Sequence, residues 1–396
     1  MKLLTVADAR ARMLAEISAL PPEDVVLALA IGRVLAHEVT AVRPQPPFNA
    51  SAMDGWAVRA ADTPGDLAIV GESAAGRGFA GEVGPGQAVR IFTGAAVPAG
   101  CDAIVIQEDA QRAGDAVRVP QTPAANFVRP AGGDFRAGET LLDAGTRLDP
   151  WRLMLAASAG RADLRVHRQP RVAVLATGEE IVEAPAAPGP FQIYDSAAPA
   201  LAAMIASWGG APIRGKPVRD TLEATVEALR AADAELVVTL GGASVGDHDM
   251  VRAAAEALGL ELKVASVAVR PGKPTFFGVL ADGRRLLGLP GNPASAFVCA
   301  ELFLRPILMA FQGADAKVGT ITARTAVPLP ANGSREHWMR AKLAWTAEGV
   351  TVTPYGDQDS SLVSIFARAD ALLRRPVDAP AAGARDPVEV LPLSRS

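Results

Sequence analysis

Between Arg171 and Leu308 the chain alternates apolar β runs with helical stretches, and this rhythm restricts the fold more than any other feature. RVAVLAT is a strand and SAAPALAAMIASWGG a helix. PIRGKPV and ELVVTL are strands on either side of TLEATVEALRAA, a helix with Thr221 as its N-cap. DMVRAAAEALG is a helix, strands are expected near 262–269, 275–280 and 285–289, and NPASAFVCAELFLRPIL is a largely apolar helix. Strands alternating with helices of about 10 to 15 residues indicate a doubly wound, mostly parallel sheet. Ligands of such sheets sit outside the carboxyl ends of the strands.

Three polar turns lie at those ends. Thr177-Gly178-Glu179-Glu180 follows the first strand, Gly241 to Asp249 a later one, and Pro290-Gly291-Asn292-Pro293-Ala294-Ser295 precedes the last helix. Taken singly, each reads as a strand–helix connection, with Asp249 as a helix cap. Three at corresponding ends of one sheet point to a shared pocket. Glycine amides suit a phosphate, whereas Glu180, Asp247 and Asp249 would repel one unless a hard divalent cation such as Mg2+ bridged them. The ligand expected is therefore a phosphate ester or nucleotide carrying Mg2+. Arg270 and Lys273 lie in the proline-restricted turn Arg270-Pro271-Gly272-Lys273-Pro274, suited to an oxyanion. His248 has no second histidine near it in sequence, which argues against zinc or iron.

The 396 residues exceed one compact core, so two to four domains are expected. Residues 6–19 have helical spacing, and a second helix is expected over Val25–Leu35. The prolines of VRPQPPFNASAMDGWAV forbid a regular helix, and from about 56 to 148 short β runs separated by Gly and Pro indicate a small β domain. DPWRLMLAASAG is one helix with a glycine stop, and short β runs return after about 320. The net charge of −4 argues against a general nucleic-acid binder. Cys101 and Cys299, far apart, make neither a disulfide framework nor a zinc site and read as buried thiols. Charges every few residues in MKLLTVADARARMLAEI leave no signal-peptide core, and no uncharged apolar run reaches membrane-spanning length, so a cytoplasmic protein is expected.

The motifs PPFNASAMDGWAV, IFTGAAVPAGCDAIVIQED, VRPAGGDFRAGETLL, TGEE, IYDS, TLGGASVGDHD, VRPGKP and LLGLPGNPASA, in this order along the whole chain, closely resemble the MoeA family of molybdopterin molybdenumtransferases. That family is related to the carboxyl-terminal part of gephyrin. The resemblance implies a multidomain α/β plus β architecture in an elongated homodimer. Its parts are a discontinuous first domain (1–42 and 138–170), an inserted β domain (43–137), an α/β molybdopterin-binding domain (171–312) and a C-terminal β-barrel-like domain (313–396). It implies Mg-dependent hydrolysis of molybdopterin adenylate, insertion of molybdate, and release of AMP and molybdenum cofactor. A separate adenylyltransferase would supply the adenylate.

By the same resemblance, Glu180, Asp220 and Asp249 form the acidic set around nucleotide and metal. Asp54 and Thr93, with Arg129 and Asp134, reach the α/β domain of the partner subunit. Thr177, Gly178, Gly241, Gly242, Ser244, Gly246, Asp247, Pro290, Gly291, Asn292 and Pro293 line the substrate site. Arg270, Lys273, Arg340 and Ser360 belong to a molybdate pocket. Arg270 stands where relatives often carry lysine, and Ser266 replaces a lysine seen in some. Without the resemblance, Asp220 is a capping residue, Asp54 and Thr93 are turn residues, and Arg340 is a solvated side chain in a β run. A gephyrin-like scaffold predicts erosion of the acids, all of which are present. An adenylyltransferase would need only the α/β block.

Overall fold

The computed structural model describes residues 3–242 and 250–393. Its α/β sheet has six strands in the order Ala211–Arg214, Arg171–Ala176, Leu236–Leu240, Arg285–Leu289, Phe276–Val279, Glu261–Val264. The first four are parallel, and Phe276–Val279 runs against its neighbours. Strand side chains alternate between faces, so Val172, Val174 and Ala176 enter one core while Ala173 and Leu175 enter the other. Helices Ala197–Ser207 and Pro293–Phe311 cover the first face, and Leu222–Ala231 and Met250–Ala257 the second. Burial on both sides explains why these strands are apolar throughout rather than alternating. Pro293–Phe311 is long and apolar enough by composition to cross a membrane, yet 83% of its most apolar window is buried within the protein. The helix contains Glu301 and Arg305, so it is not an uncharged run of that length, and it is a core helix. Cys299 on it is buried and Cys101 half-buried.

Two expected helices differ. The first stops at Leu14 rather than at residue 19, and Val6, Ala9 and Met13 pack into the α/β core. Val25–Leu35 is not helical: Pro22–Val26 is a strand paired antiparallel with Asp163–His167, followed by a short 3-10 turn at Leu27–Leu29. The β-branched Val25 and Val26 find a partner strand far along the chain, and tertiary pairing overrides the helical spacing. The surrounding core joins Ala30, Leu35 and Val39 to Phe135, Leu148 and Leu164.

The intervening segment folds into a six-stranded sheet ordered Ala103–Ile106, Gly55–Val58, Gln87–Ile91, Gly65–Ser73, Ala116–Val119, Gln111–Ala113. Near the C-terminus, Glu336–Thr346, Gly349–Pro354, Ile321–Thr325, Pro387–Pro392 and Ala371–Arg375 pair in a ring that closes through Glu336–Thr346 and Ala371–Arg375, a small barrel. The strand expected at 262–269 is split. Glu261–Val264 stays in the α/β sheet, while Val269–Arg270 pairs with Glu336–His337 of the barrel. That pairing joins the barrel to the strand-end side of the sheet.

Candidate functional site

A cleft of about 740 Å³ opens at the carboxyl ends of Arg171–Ala176, Leu236–Leu240 and Arg285–Leu289. Thr177, Gly178, Glu180, Asp220, Gly241, Gly242 and Pro290 to Pro293 all line it. The strand ends are tied together: Thr177 N–H donates to Leu240 O at 3.0 Å, and Gly241 N–H donates to Leu289 O at 3.2 Å. Gly241 and Gly242 have φ of +92° and +61°. A Cβ at Gly241 would lie 2.9 Å from Thr177 O, and one at Gly242 would overlap the Val251 side chain. Only glycine allows the chain to turn here with its backbone exposed to a ligand.

Two acids of the cleft are unspent. Glu180 and Asp220 are exposed, and among the described residues neither carboxylate has a hydrogen-bond or ion-pair partner. The Glu180 carboxylate lies where a Cβ of Gly178 would be, folded over that turn. Asp195 also lines the cleft, but its Oδ1 accepts from Ala197 N–H (3.1 Å) and Ala198 N–H (2.9 Å), capping the helix. Ser244, Gly246, Asp247 and Asp249 lie outside the described residues. Within the described ones, no group of three or more His, Cys, Asp or Glu is poised to hold a metal.

The barrel supplies one rim. Ser361 and Val363 line the cleft, and Asn292 Nδ2 donates to Ser360 Oγ at 3.1 Å. Arg340 holds the loop that carries these serines. It is 1% exposed, so its reading as a solvated residue is corrected. Its guanidinium donates to Gln358 Oε1 (3.3 Å), Leu362 O (3.1 Å) and Asp359 O (2.9 Å), while Gln358 Nε2 donates back to Arg340 O (3.0 Å). Burial lowers the Arg340 pKa, and Asp357 and Asp359 oppose that.

Arg270 faces a second cavity of about 520 Å³, beside His337, Asp357, Asp359 and Arg375. Burial and the nearby Arg270, Arg335 and Arg340 push the His337 pKa down to about 4. The buried Arg375 Nε has no hydrogen-bond partner among the described residues. Lys273 is exposed and lines neither cavity, although Pro274 next to it lines the cleft. Of the four residues expected to share one molybdate pocket, Ser360 is bonded to Asn292 of the cleft, Arg340 is buried behind its loop, Arg270 lines the neighbouring cavity and Lys273 lines neither.

Among the described residues that line the cleft, none comes from residues 43–137. Asp54 accepts from Thr93 N–H (2.7 Å) and Thr93 Oγ1 (2.8 Å), and these bonds hold its carboxyl below the usual range, with Arg90 adding to the effect. Arg129 pairs through its backbone with Ala50, and Asp134 N–H donates to Gln45 O at 2.9 Å. Ile193 and Tyr194, which open the IYDS motif, line the cleft, as do Ser361 and Val363, which the sequence reading does not name. The one signal for Ser361 is that it adjoins Ser360.

Fold and site together define a multidomain α/β protein with a strand-end ligand cleft, closed on one side by a small barrel. Its residues match three family models: the MoeA N-terminal region (domains I and II) over 4–160, a probable molybdopterin binding domain over 173–310, and the MoeA C-terminal region (domain IV) over 322–393. A molybdopterin molybdenumtransferase from a Nostoc species is 38% identical over 74% of this chain and 70% of its own length. One from Haemophilus influenzae is 33% identical over 94% of both. The crystal structure of a molybdopterin biosynthesis MoeA protein from Pyrococcus horikoshii superposes with a TM-score of 0.82 at 30% identity, covering 99% of both chains. The chain belongs to the MoeA family of molybdopterin molybdenumtransferases and is an enzyme of molybdenum-cofactor biosynthesis.

Proposed function

We propose that the cleft takes molybdopterin adenylate, hydrolyses its phosphoanhydride, and passes molybdenum from molybdate to the pterin dithiolene, releasing AMP and molybdenum cofactor. The observation that carries this reading is the meeting, in one strand-end cleft, of the left-handed Gly241-Gly242 turn with Glu180 and Asp220, whose carboxylates have no partner among the described residues. Exposed glycine backbone suits phosphate oxygens. Two free carboxylates are hard oxygen donors, and they fit a Mg2+ ion that keeps several waters better than an all-protein cage. Asp249 completes the acidic set by family correspondence. When bound, such an ion neutralises phosphate charge.

The chain's own residues orient the reaction. Thr177, Gly178 and the Pro290-Gly291-Asn292-Pro293 turn shape the phosphate end, and the Ser360–Ser361 loop closes the rim. Water adds at phosphorus, the anhydride bond breaks, and AMP leaves as the pterin phosphate remains. Molybdate is placed by Arg270, Lys273 and Ser360, with Arg340 acting through the loop it holds. The cationic surroundings of His337 support an oxyanion beside Arg270.

Asp54 and Thr93 act in the cleft of a partner subunit, with Arg129 and Asp134 behind them. That no residue of the insert is among the described residues lining its own chain's cleft supports this homodimeric site. The domains are taken as 1–42 with 138–170, 43–137, 171–312 and 313–396. The enzyme is placed in the cytoplasm, downstream of a separate adenylyltransferase. The test is AMP release from purified protein given molybdopterin adenylate, molybdate and Mg2+. Release that requires all three supports the reading, and release indifferent to molybdate counts against it.

A further inference from the structure

Along the cleft wall opposite in character to the glycine turns runs an apolar ledge. Ile193 and Tyr194 both line the cleft, yet they are 62% and 51% exposed. Such exposure of large apolar groups gives the folded chain nothing by itself, and these two lie at the mouth of a ligand site. The ledge is held from both sides. Ile181–Val182 and Ile193–Tyr194 pair as parallel strands, Ile193 N–H donates to Glu180 O at 2.7 Å, and Asp195 N–H donates to Val182 O at 2.8 Å. The next residue, Asp195, is pinned as the cap of helix Ala197–Ser207. Tyr194 therefore sits on fixed backbone, while its ring and hydroxyl have no hydrogen-bond or ring partner among the described residues. Val363 adds an apolar surface from the barrel side.

We propose that Tyr194 is the platform on which a planar nitrogen heterocycle of the substrate stacks, and that it sets affinity for the ring-bearing end. This rests on the reading of the cleft given under Proposed function, and extends it to a residue and an interaction outside the phosphate and metal chemistry. A rigid aromatic face with a free tip suits a flat fused ring, because stacking tolerates many bases and needs no hydrogen-bond code. The phosphate chain would then run from the ledge past Glu180, whose carbonyl anchors Ile193, to the glycine turn. Ring recognition and metal-ligand placement thus share one short strand pair.

The substrate has two such rings, adenine and pterin, and binding measurements separate them. Calorimetry with AMP, ribose 5-phosphate and molybdopterin adenylate would be run on the wild type and on Tyr194→Phe, Tyr194→Ala and Phe191→Ala. Phe191 is 90% exposed and outside the cleft lining, so its variant controls for loss of a surface aromatic. Tyr194→Ala is expected to weaken ring-bearing ligands roughly tenfold, Tyr194→Phe to retain affinity, and ribose 5-phosphate to bind all four proteins alike. Weakening of both AMP and molybdopterin adenylate puts adenine on the ledge, and weakening of molybdopterin adenylate alone puts the pterin there. Unchanged binding of both by Tyr194→Ala overturns the platform while leaving the phosphate site standing. A wild type that binds neither overturns the cleft reading and the platform together.

Discussion

Asn292 reaches from the last strand end of the α/β sheet to the barrel, its Nδ2 donating to Ser360 Oγ at 3.1 Å, and the next turn reinforces the junction as Ala294 N–H donates to Ser360 O at 3.1 Å. The rim of the cleft is therefore hydrogen-bonded to its floor. Removing the side-chain bond by Asn292→Ala leaves the backbone bond in place. We expect kcat/KM for molybdopterin adenylate to fall roughly fivefold, the equivalent of one ordinary hydrogen bond, with the melting temperature little changed. An unaltered kcat/KM would mean the junction does not shape the site.

The unspent carboxylates give a sharper expectation. Glu180→Gln and Asp220→Asn keep size and shape but remove the charge needed for a hard cation. AMP release should fall roughly a hundredfold in each, with unchanged circular dichroism and a higher Mg2+ concentration for half-maximal rate. Wild-type turnover at limiting Mg2+ would remove that residue from the metal site.

Gly242→Ala tests the phosphate turn. The new Cβ meets the buried Val251 side chain at the start of helix Met250–Ala257, and φ of +61° is one that L residues rarely adopt. Affinity for AMP should drop well below that of the wild type while the protein still melts cooperatively. Normal AMP affinity would show that the ligand does not approach this backbone.

Much of this was legible in the sequence because it depends on local chemistry. Buried parallel strands need continuous apolar runs, and a strand that must turn sharply at a ligand needs glycine, so RVAVLAT, ELVVTL and Gly241-Gly242 are visible in one dimension. Val25–Leu35 was misread because its β pairing comes from Asp163–His167, which no local pattern announces. Arg340 was misread for a similar reason: its burial depends on how residues 355–362 fold back over the barrel strand. Asp54 and Thr93 look like turn residues, and within one chain they are turn residues.

His337 sets a stability limit at low pH. Its folded pKa of about 4 lies below the ordinary 6.5, because burial and three arginines disfavour the charged ring. Between these values the unfolded chain binds the proton and the folded one does not. The stabilisation is fully present above pH 6.5 and is lost as pH falls toward 4. Thermal melts of the wild type should show the melting temperature falling across that window, and His337→Gln should have a shallower fall. Parallel curves for the two proteins would remove His337 from the acid response.

If a working site combines the cleft of one chain with the Asp54 surface of another, mixed dimers report it most directly. Glu180→Ala and Asp54→Ala should each be inactive alone. Co-expressed with distinct tags, about half of the dimers are mixed, and each carries one site with both defects and one with neither. The account predicts AMP release at about a quarter of the wild-type rate for the unfractionated mixture, and about half for purified mixed dimers. Mixed dimers that stay as inactive as either parent would contradict it and return Asp54 to its own chain.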